Sequence, residues 1–221
     1  MTARLLYLVR HGAVEGEDGR KFISSTDLPL SREGKEQALQ LRSALSDRGI
    51  GAAYCSDLLR CRQTARIIAD ENSRTPIHER RDLREVSMGI WEGRSRAEIA
   101  AMFPDEFRAR GEDIEHYCVP GGESLDACRS RALAAWQEIV ESSPENVLIV
   151  GHAGVNRLLL CHLLQIPTGN LFRIGQDHGC LNIIHHKAGG YRLVLLNFTP
   201  SRWAAEADRL HGRIEGTSGW I

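Results

Sequence analysis

Two histidines and two arginines in this 221-residue chain stand where they could handle a phosphoryl group. Arg10-His11-Gly12 closes a short apolar run, Leu5-Leu6-Tyr7-Leu8-Val9. Arginine offers a planar, permanently charged fork that matches phosphate oxygens. A histidine that is neutral near pH 7 can serve as a nucleophile, and glycine lets the backbone approach a ligand closely. Alone, this tripeptide is more often an ordinary loop with a satisfied histidine. Gly151-His152-Ala153-Gly154 follows the clearest apolar run, Val147-Leu148-Ile149-Val150, and precedes a helical pattern. A histidine there sits beside free backbone N–H groups that favour anions. Arg60 falls in Ser56-Asp57-Leu58-Leu59-Arg60-Cys61-Arg62-Gln63-Thr64-Ala65, in the first turn of another helix. Arg62 and Arg66 read as solvated surface residues.

The elements that must position these side chains follow from periodicity. Residues 4–10 read as a buried strand and 12–30 as a loop. Ser31 reads as a helix N-cap, with Glu33 and Glu36 at the positive end of the dipole. Ala38, Leu41 and Leu45 at helical spacing predict a helix over 32–48 that stops at Gly49. A strand over 51–55, a helix over 57–70 and a strand near 76–80 come next. The region 86–122 is irregular, with short helices at 95–102 and 104–110, and a long helix spans Glu123 to Val140. Val147–Val150 is a buried strand and Val155 to Leu164 a helix. Residues 181–186 and 191–196 predict two more strands, paired as an antiparallel edge hairpin across Ala188-Gly189-Gly190.

Strands alternating with helices predict an α/β fold in three α/β/α layers, with a mostly parallel central sheet and helices on both faces. Ligands of such sheets bind outside the carboxyl ends of the strands. His11 and His152 share that address although they are far apart in sequence.

Bulk properties narrow the function classes. Lys plus Arg is 28 against 29 for Asp plus Glu, a formal charge of -1. That balance argues against nucleic-acid and membrane-surface partners. The apolar run before Arg10 is far too short for a signal-peptide core or a membrane helix, so a cytoplasmic location is expected. The six cysteines, without any C-x-x-C pair, read as scattered reduced thiols. His178, Cys180, His185, His186 and the Cys161-His162 pair are the rival metal-binding set. None has a zinc-like spacing, so no metal and no cofactor are expected.

Together, Arg10-His11-Gly12, the Ser-Asp-Leu-x-Arg-x-x-x-Thr-Ala stretch and Gly151-His152-Ala153-Gly154 resemble the histidine phosphatase (phosphoglycerate-mutase-like) superfamily. The resemblance covers roughly residues 4–198. It implies a histidine phosphatase domain over 1–200, with residues 201–221 an unassigned tail. Asp27-Leu28-Pro29-Leu30-Ser31-Arg32-Glu33-Gly34 and Pro120-Gly121-Gly122-Glu123-Ser124 also match family segments. Leu83-Arg84-Glu85-Val86-Ser87-Met88-Gly89-Ile90-Trp91-Glu92-Gly93 is similar to the stretch that carries the catalytic acid, which assigns that role to Glu85 with Glu92 as competitor.

The implied chemistry is in-line attack of His11 on phosphorus, giving a phosphohistidine. Its other ring nitrogen is expected to donate to a backbone carbonyl and fix the tautomer. Arg10, Arg60 and a protonated His152 would neutralise the phosphoryl oxygens, with Gly12, Ser24 and Ala153 also at the phosphate. Glu85 would protonate the leaving alcohol and then take a proton from water.

Within the family, Ala13-Val14 after the glycine and the short, partly acidic 94–119 region depart from the mutases and favour a phosphatase. Gln176-Asp177-His178-Gly179-Cys180 and Leu195-Leu196-Asn197 are most similar to α-ribazole phosphatases, which dephosphorylate α-ribazole 5′-phosphate during cobalamin nucleotide-loop assembly. The expected partner is a small-molecule phosphomonoester; a homodimer stays open. The alternatives are phosphoglycerate mutase and a non-catalytic phospho-ligand binding protein. The loop Val14-Glu15-Gly16-Glu17-Asp18 is acidic where a phosphate would be repelled, so it is expected to point outward or to signal an unusual substrate. Trp136 is expected in the core, and Trp91 or Tyr117 could stack on an aromatic base.

Overall fold

The computed structural model describes residues 4–16, 21–70, 74–188 and 190–201. Six strands form one sheet in the order β3-β2-β4-β1-β5-β6. They are β1 (Arg4–Arg10), β2 (Ile50–Ser56), β3 (Ile77–Arg80), β4 (Asn146–Gly151), β5 (Leu181–Lys187) and β6 (Gly190–Phe198). The β1–β4, β2–β4 and β2–β3 pairings are parallel, whereas β5 runs antiparallel to both β1 and β6. The expected mostly parallel sheet with an antiparallel edge hairpin is therefore present; Gly189 in its turn lies outside the described residues.

Alternation along the central strands divides the core in two. Leu6, Leu8, Val147 and Ile149 face one side, against α5 (Leu125–Ser142) and α6 (Ala153–Leu163). Tyr7, Val9, Leu148 and Val150 face the other, against α1 (Arg32–Leu45) and α2 (Leu59–Ala69). A strand buried on both faces needs a continuous apolar run, which is why β1 and β4 are apolar between their ends apart from the Tyr7 hydroxyl. Fully burying each of these side chains contributes about 1.5–3 kcal/mol. Trp136 is in the first of these clusters, as expected.

Helix boundaries follow their caps. The Ser31 hydroxyl accepts from Gly34 N at 3.1 Å, and the Ser124 hydroxyl from Ala127 N at 3.1 Å. The long helix accordingly starts at Leu125, not Glu123. α1 ends at Leu45, before the expected 48, and Gly49 beyond it has a φ of 60°. α3 (Arg96–Met102) and α4 (Pro104–Glu112) supply the two short helices of the irregular region. α6 begins at Ala153, directly after His152, with no intervening turn. Residues 202–221, nearly all of the unassigned tail, lie outside the described residues.

Candidate active site

Parallel pairing of β1 and β4 sets Arg10 opposite Gly151. His11 N then donates to Gly151 O at 3.1 Å. The next residues, His11 and His152, leave the sheet side by side with ring centroids 5.2 Å apart and planes at 66°. His11 is buried, and its Nδ1 lies 2.8 Å from Gly12 O. A carbonyl only accepts, so Nδ1 carries the proton and Nε2 keeps its lone pair. This is the tautomer that nucleophilic attack requires. Burial, then His152, Arg10 and Arg60 in that order, push the His11 pKa well below its ordinary value.

Gly12 also has a packing reason. A Cβ there would come within 2.4 Å of Gly34 O, and a Cβ on Gly34 within 2.0 Å of Ala13 O. The glycine therefore permits the close approach of α1. Gly12 N donates to Thr64 Oγ1 at 3.2 Å, and that hydroxyl donates to Arg60 O at 2.7 Å.

Arg60, at the start of α2, is 1 % exposed. Its Nη1 donates to Thr26 O and its Nη2 to Ser24 O, both at 2.8 Å. Its Nε donates to Nδ1 of His152 at 3.3 Å. His152 is fully buried, and burial followed by Arg60 and Arg10 pushes its pKa well down. A ring nitrogen that accepts from arginine carries no proton, so His152 is neutral here, with its proton on Nε2. This corrects the expected protonated His152: a second buried cation beside two guanidiniums would meet repulsion and desolvation together. Arg62 and Arg66 instead face Glu79, at 3.7 and 4.0 Å.

Glu85 reaches the same edge. Its Oε2 accepts from Gly154 N at 3.0 Å, and its Oε1 from Val155 N at 3.2 Å and Val86 N at 3.0 Å. Two first-turn N–H groups of α6, those of Gly154 and Val155, thus hold the Glu85 carboxyl group. Arg131 secures the chain behind it, donating to Glu85 O at 3.2 Å while paired with Glu123.

Glu92 is occupied elsewhere. Its carboxylate accepts from Ser24 N at 2.9 Å, Ser25 N at 3.1 Å and Thr26 N at 3.0 Å, and from the hydroxyls of Ser24 and Thr26. Those bonds hold it below its usual carboxylate range despite burial. Ser24, expected at the phosphate, is 2 % exposed. Its hydroxyl donates to Glu92 and accepts from Met88 N at 3.1 Å. Ser24 therefore serves the site through its carbonyl, which anchors Arg60.

The sequence marks His178 only as a metal candidate and as part of the segment similar to α-ribazole phosphatases. In the structure its ring centroid is 5.5 Å from that of His11, and Arg10 Nη2 donates to its Nε2 at 2.6 Å. Arg10 Nη1 donates to Gln176 O at 2.7 Å. The Gln176 side chain is itself fixed by Asn156 Nδ2 at 3.2 Å and Asn182 Nδ2 at 3.1 Å. Buried amides at a strand start were the available signal for this network.

A cavity of about 330 Å³ opens beside these groups, lined by Arg10, Ser24, Glu85, Ala153 and Gly154 and also by Arg157 and Phe172. Ser24 and Glu85 also border a larger cavity of about 680 Å³, which Arg10 does not line. Trp91 is 1 % exposed and packs in the core against Phe22 and Phe107, so it is not free to stack on a ligand. Tyr117 packs against the same core cluster and does not line the smaller cavity.

Within the acidic loop, Glu15 and Gly16 are exposed, while Glu17 and Asp18 lie outside the described residues. All six cysteines are free thiols. Among the described residues no three metal-capable side chains gather, and no helix is long and apolar enough to cross a membrane.

Comparison with known proteins identifies a family. A family model described as the histidine phosphatase superfamily (branch 1) matches residues 6–199. The chain is 30% identical to the adenosylcobalamin/alpha-ribazole phosphatase of Salmonella typhimurium, over 87% of this chain and 95% of that one. It is 33% identical to the phosphoglycerate mutase-like protein 4 of Arabidopsis thaliana, over 70% and 68%. The crystal structure of the alpha-ribazole phosphatase from Shigella flexneri superposes with a TM-score of 0.80 at 28% identity, covering 88% of this chain and 96% of that one.

Proposed function

The chain belongs to branch 1 of the histidine phosphatase superfamily, and on that premise we propose that it hydrolyses small phosphomonoesters through a phosphohistidine on His11. The observation that carries this reading is the His11 tautomer: Nδ1 is tied to Gly12 O at 2.8 Å, which leaves Nε2 to attack. The Nε2–phosphorus bond forms as the bond to the leaving oxygen breaks. Arg10 and Arg60 stabilise the charge on the transferring oxygens, and neutral His152 can donate from Nε2. Glu85 gives its proton to the leaving oxygen. Its Oε2 accepts a single N–H, so a lone pair remains for that proton. Water then attacks the phosphohistidine, returns a proton to Glu85 and releases phosphate.

Relatives named as alpha-ribazole phosphatases make α-ribazole 5′-phosphate the first candidate substrate, which would assign the chain to cobalamin nucleotide-loop assembly. A phosphoglycerate mutase is the second reading, favoured by the mutase-like relative. A purely phospho-ligand binding role would leave the His11 lone pair and the Glu85 carboxyl group without use. The test is phosphate release without added metal from α-ribazole 5′-phosphate, 3-phosphoglycerate, sugar phosphates and an aryl phosphate, using wild type and His11→Ala. Hydrolysis that depends on His11 supports the reading. Isomerisation of phosphoglycerate without release moves the chain to the mutases, and undiminished release by His11→Ala sinks the mechanism.

A further inference from the structure

The segment 176–180, immediately before β5, is bonded to the Arg10-His11 pair through backbone and side chain alike. Arg10 N donates to Cys180 O at 3.1 Å, and Gly179 N donates to His11 O at 3.0 Å. Asp177 N donates to Asn197 Oδ1 at 2.7 Å, which ties the same segment to β6. At its start Gln176 is buried, and its Nε2 donates to Asn182 Oδ1 at 2.8 Å. His178 therefore stands between two residues whose backbone N–H groups are both anchored.

Two groups of this segment receive the Arg10 fork: Gln176 O from Nη1 at 2.7 Å, and His178 Nε2 from Nη2 at 2.6 Å. Guanidinium nitrogens only donate, so His178 accepts with a bare Nε2. Both acceptors are neutral. They aim the fork without themselves cancelling its charge, whereas a carboxylate in the same place would pair with it and repel a phosphate. An arginine that must meet phosphoryl oxygens gains most from a direction set before the ligand arrives. The Gln176 acceptor is backbone, which any residue supplies. The second direction depends on the side chain at 178.

We infer that His178 is a positioning residue for phosphoryl transfer, acting through Arg10 and not by touching the substrate. This rests on the hydrolase reading, in which Arg10 meets the transferring phosphoryl group.

The test is a double-mutant cycle between Arg10→Ala and His178→Leu, read by binding of inorganic phosphate and by kcat/KM for an aryl phosphate. His178→Leu alone should weaken phosphate binding and lower kcat/KM by about tenfold. In the Arg10→Ala background the same change should cost about twofold or less. His178→Gln, whose amide oxygen falls near the place of Nε2, should recover most of the loss. His178→Asn, equally polar but with its oxygen near the place of Nδ1, should recover little. A merely structural role would cost the same with or without Arg10. Should His178→Leu fail to fold, His178→Asn takes its place in the cycle. Should Arg10→Ala bind phosphate too weakly to measure, the contrast between Gln and Asn decides. Equal losses in the two backgrounds, no loss in His178→Leu, or equal recovery by Asn and Gln overturns the inference while His11-dependent release by wild type stands. Absence of that release overturns the hydrolase reading, and the inference with it.

Discussion

Nε of Arg60 donates to Nδ1 of His152 across 3.3 Å, both residues being buried. Burial and this contact together disfavour a proton on Nδ1 of His152 and, with His11 5.2 Å away, make the site intolerant of acid.

The first prediction follows from sign. His11 and His152 both have folded pKa values pushed well below 6.5. Below about pH 6.5 the unfolded chain binds protons that the folded chain refuses. Stability therefore falls as pH drops from about 6.5 toward the folded values, by at most about 1.4 kcal/mol per pH unit for each group. Urea unfolding between pH 8 and 5 should show this slope, and His152→Gln should flatten it. An unchanged slope in the variant would mean that His152 is not held neutral.

Glu85→Gln should separate leaving groups. The amide still has an oxygen to accept N–H groups of α6, but it has no proton to give. Turnover of alkyl phosphates should fall by about 10²–10⁴-fold, and that of p-nitrophenyl phosphate, whose leaving group needs no proton, far less. An equal loss on both would remove Glu85 from the role of acid.

Glu92→Gln should act differently, because Glu92 binds the segment Ser24–Thr26 whose carbonyls hold Arg60. Loss of charge-assisted hydrogen bonds costs about 1.5–3 kcal/mol each. Thermal stability and phosphate affinity should drop together, by a similar factor for every leaving group. A leaving-group-dependent loss would return Glu92 to contention as the acid.

Gly12→Ala tests the packing reason for that glycine. The new methyl would meet Gly34 O at 2.4 Å, backbone against backbone. Overpacking of this kind typically costs about 1–3 kcal/mol, and backbone cannot yield as a side chain does. A variant of wild-type stability in thermal unfolding would show that α1 can retreat.

Much of this protein was legible in its sequence. Continuous apolar runs and helix caps are local, so β1, β4 and the start of α1 at Ser31 follow from neighbouring residues alone. The shared address of His11 and His152 also follows, because parallel strands end on one edge. What the sequence left open depends on residues brought together from distant parts of the chain. Glu85 and Glu92 are seven positions apart in one segment and carry the same charge; only resemblance separated them. Folding turns one toward the α6 N-terminus and the other toward Ser24–Thr26, and these partners are decided by tertiary contact. His178 is the converse case: 168 positions from Arg10, it becomes that arginine's hydrogen-bond partner because β5 runs back along β1. The neutral state of His152 likewise arises only after folding, when burial and Arg60 act on the ring together. Residue type and local period settle which elements form, while protonation and hydrogen-bond partnership are properties of the packed whole.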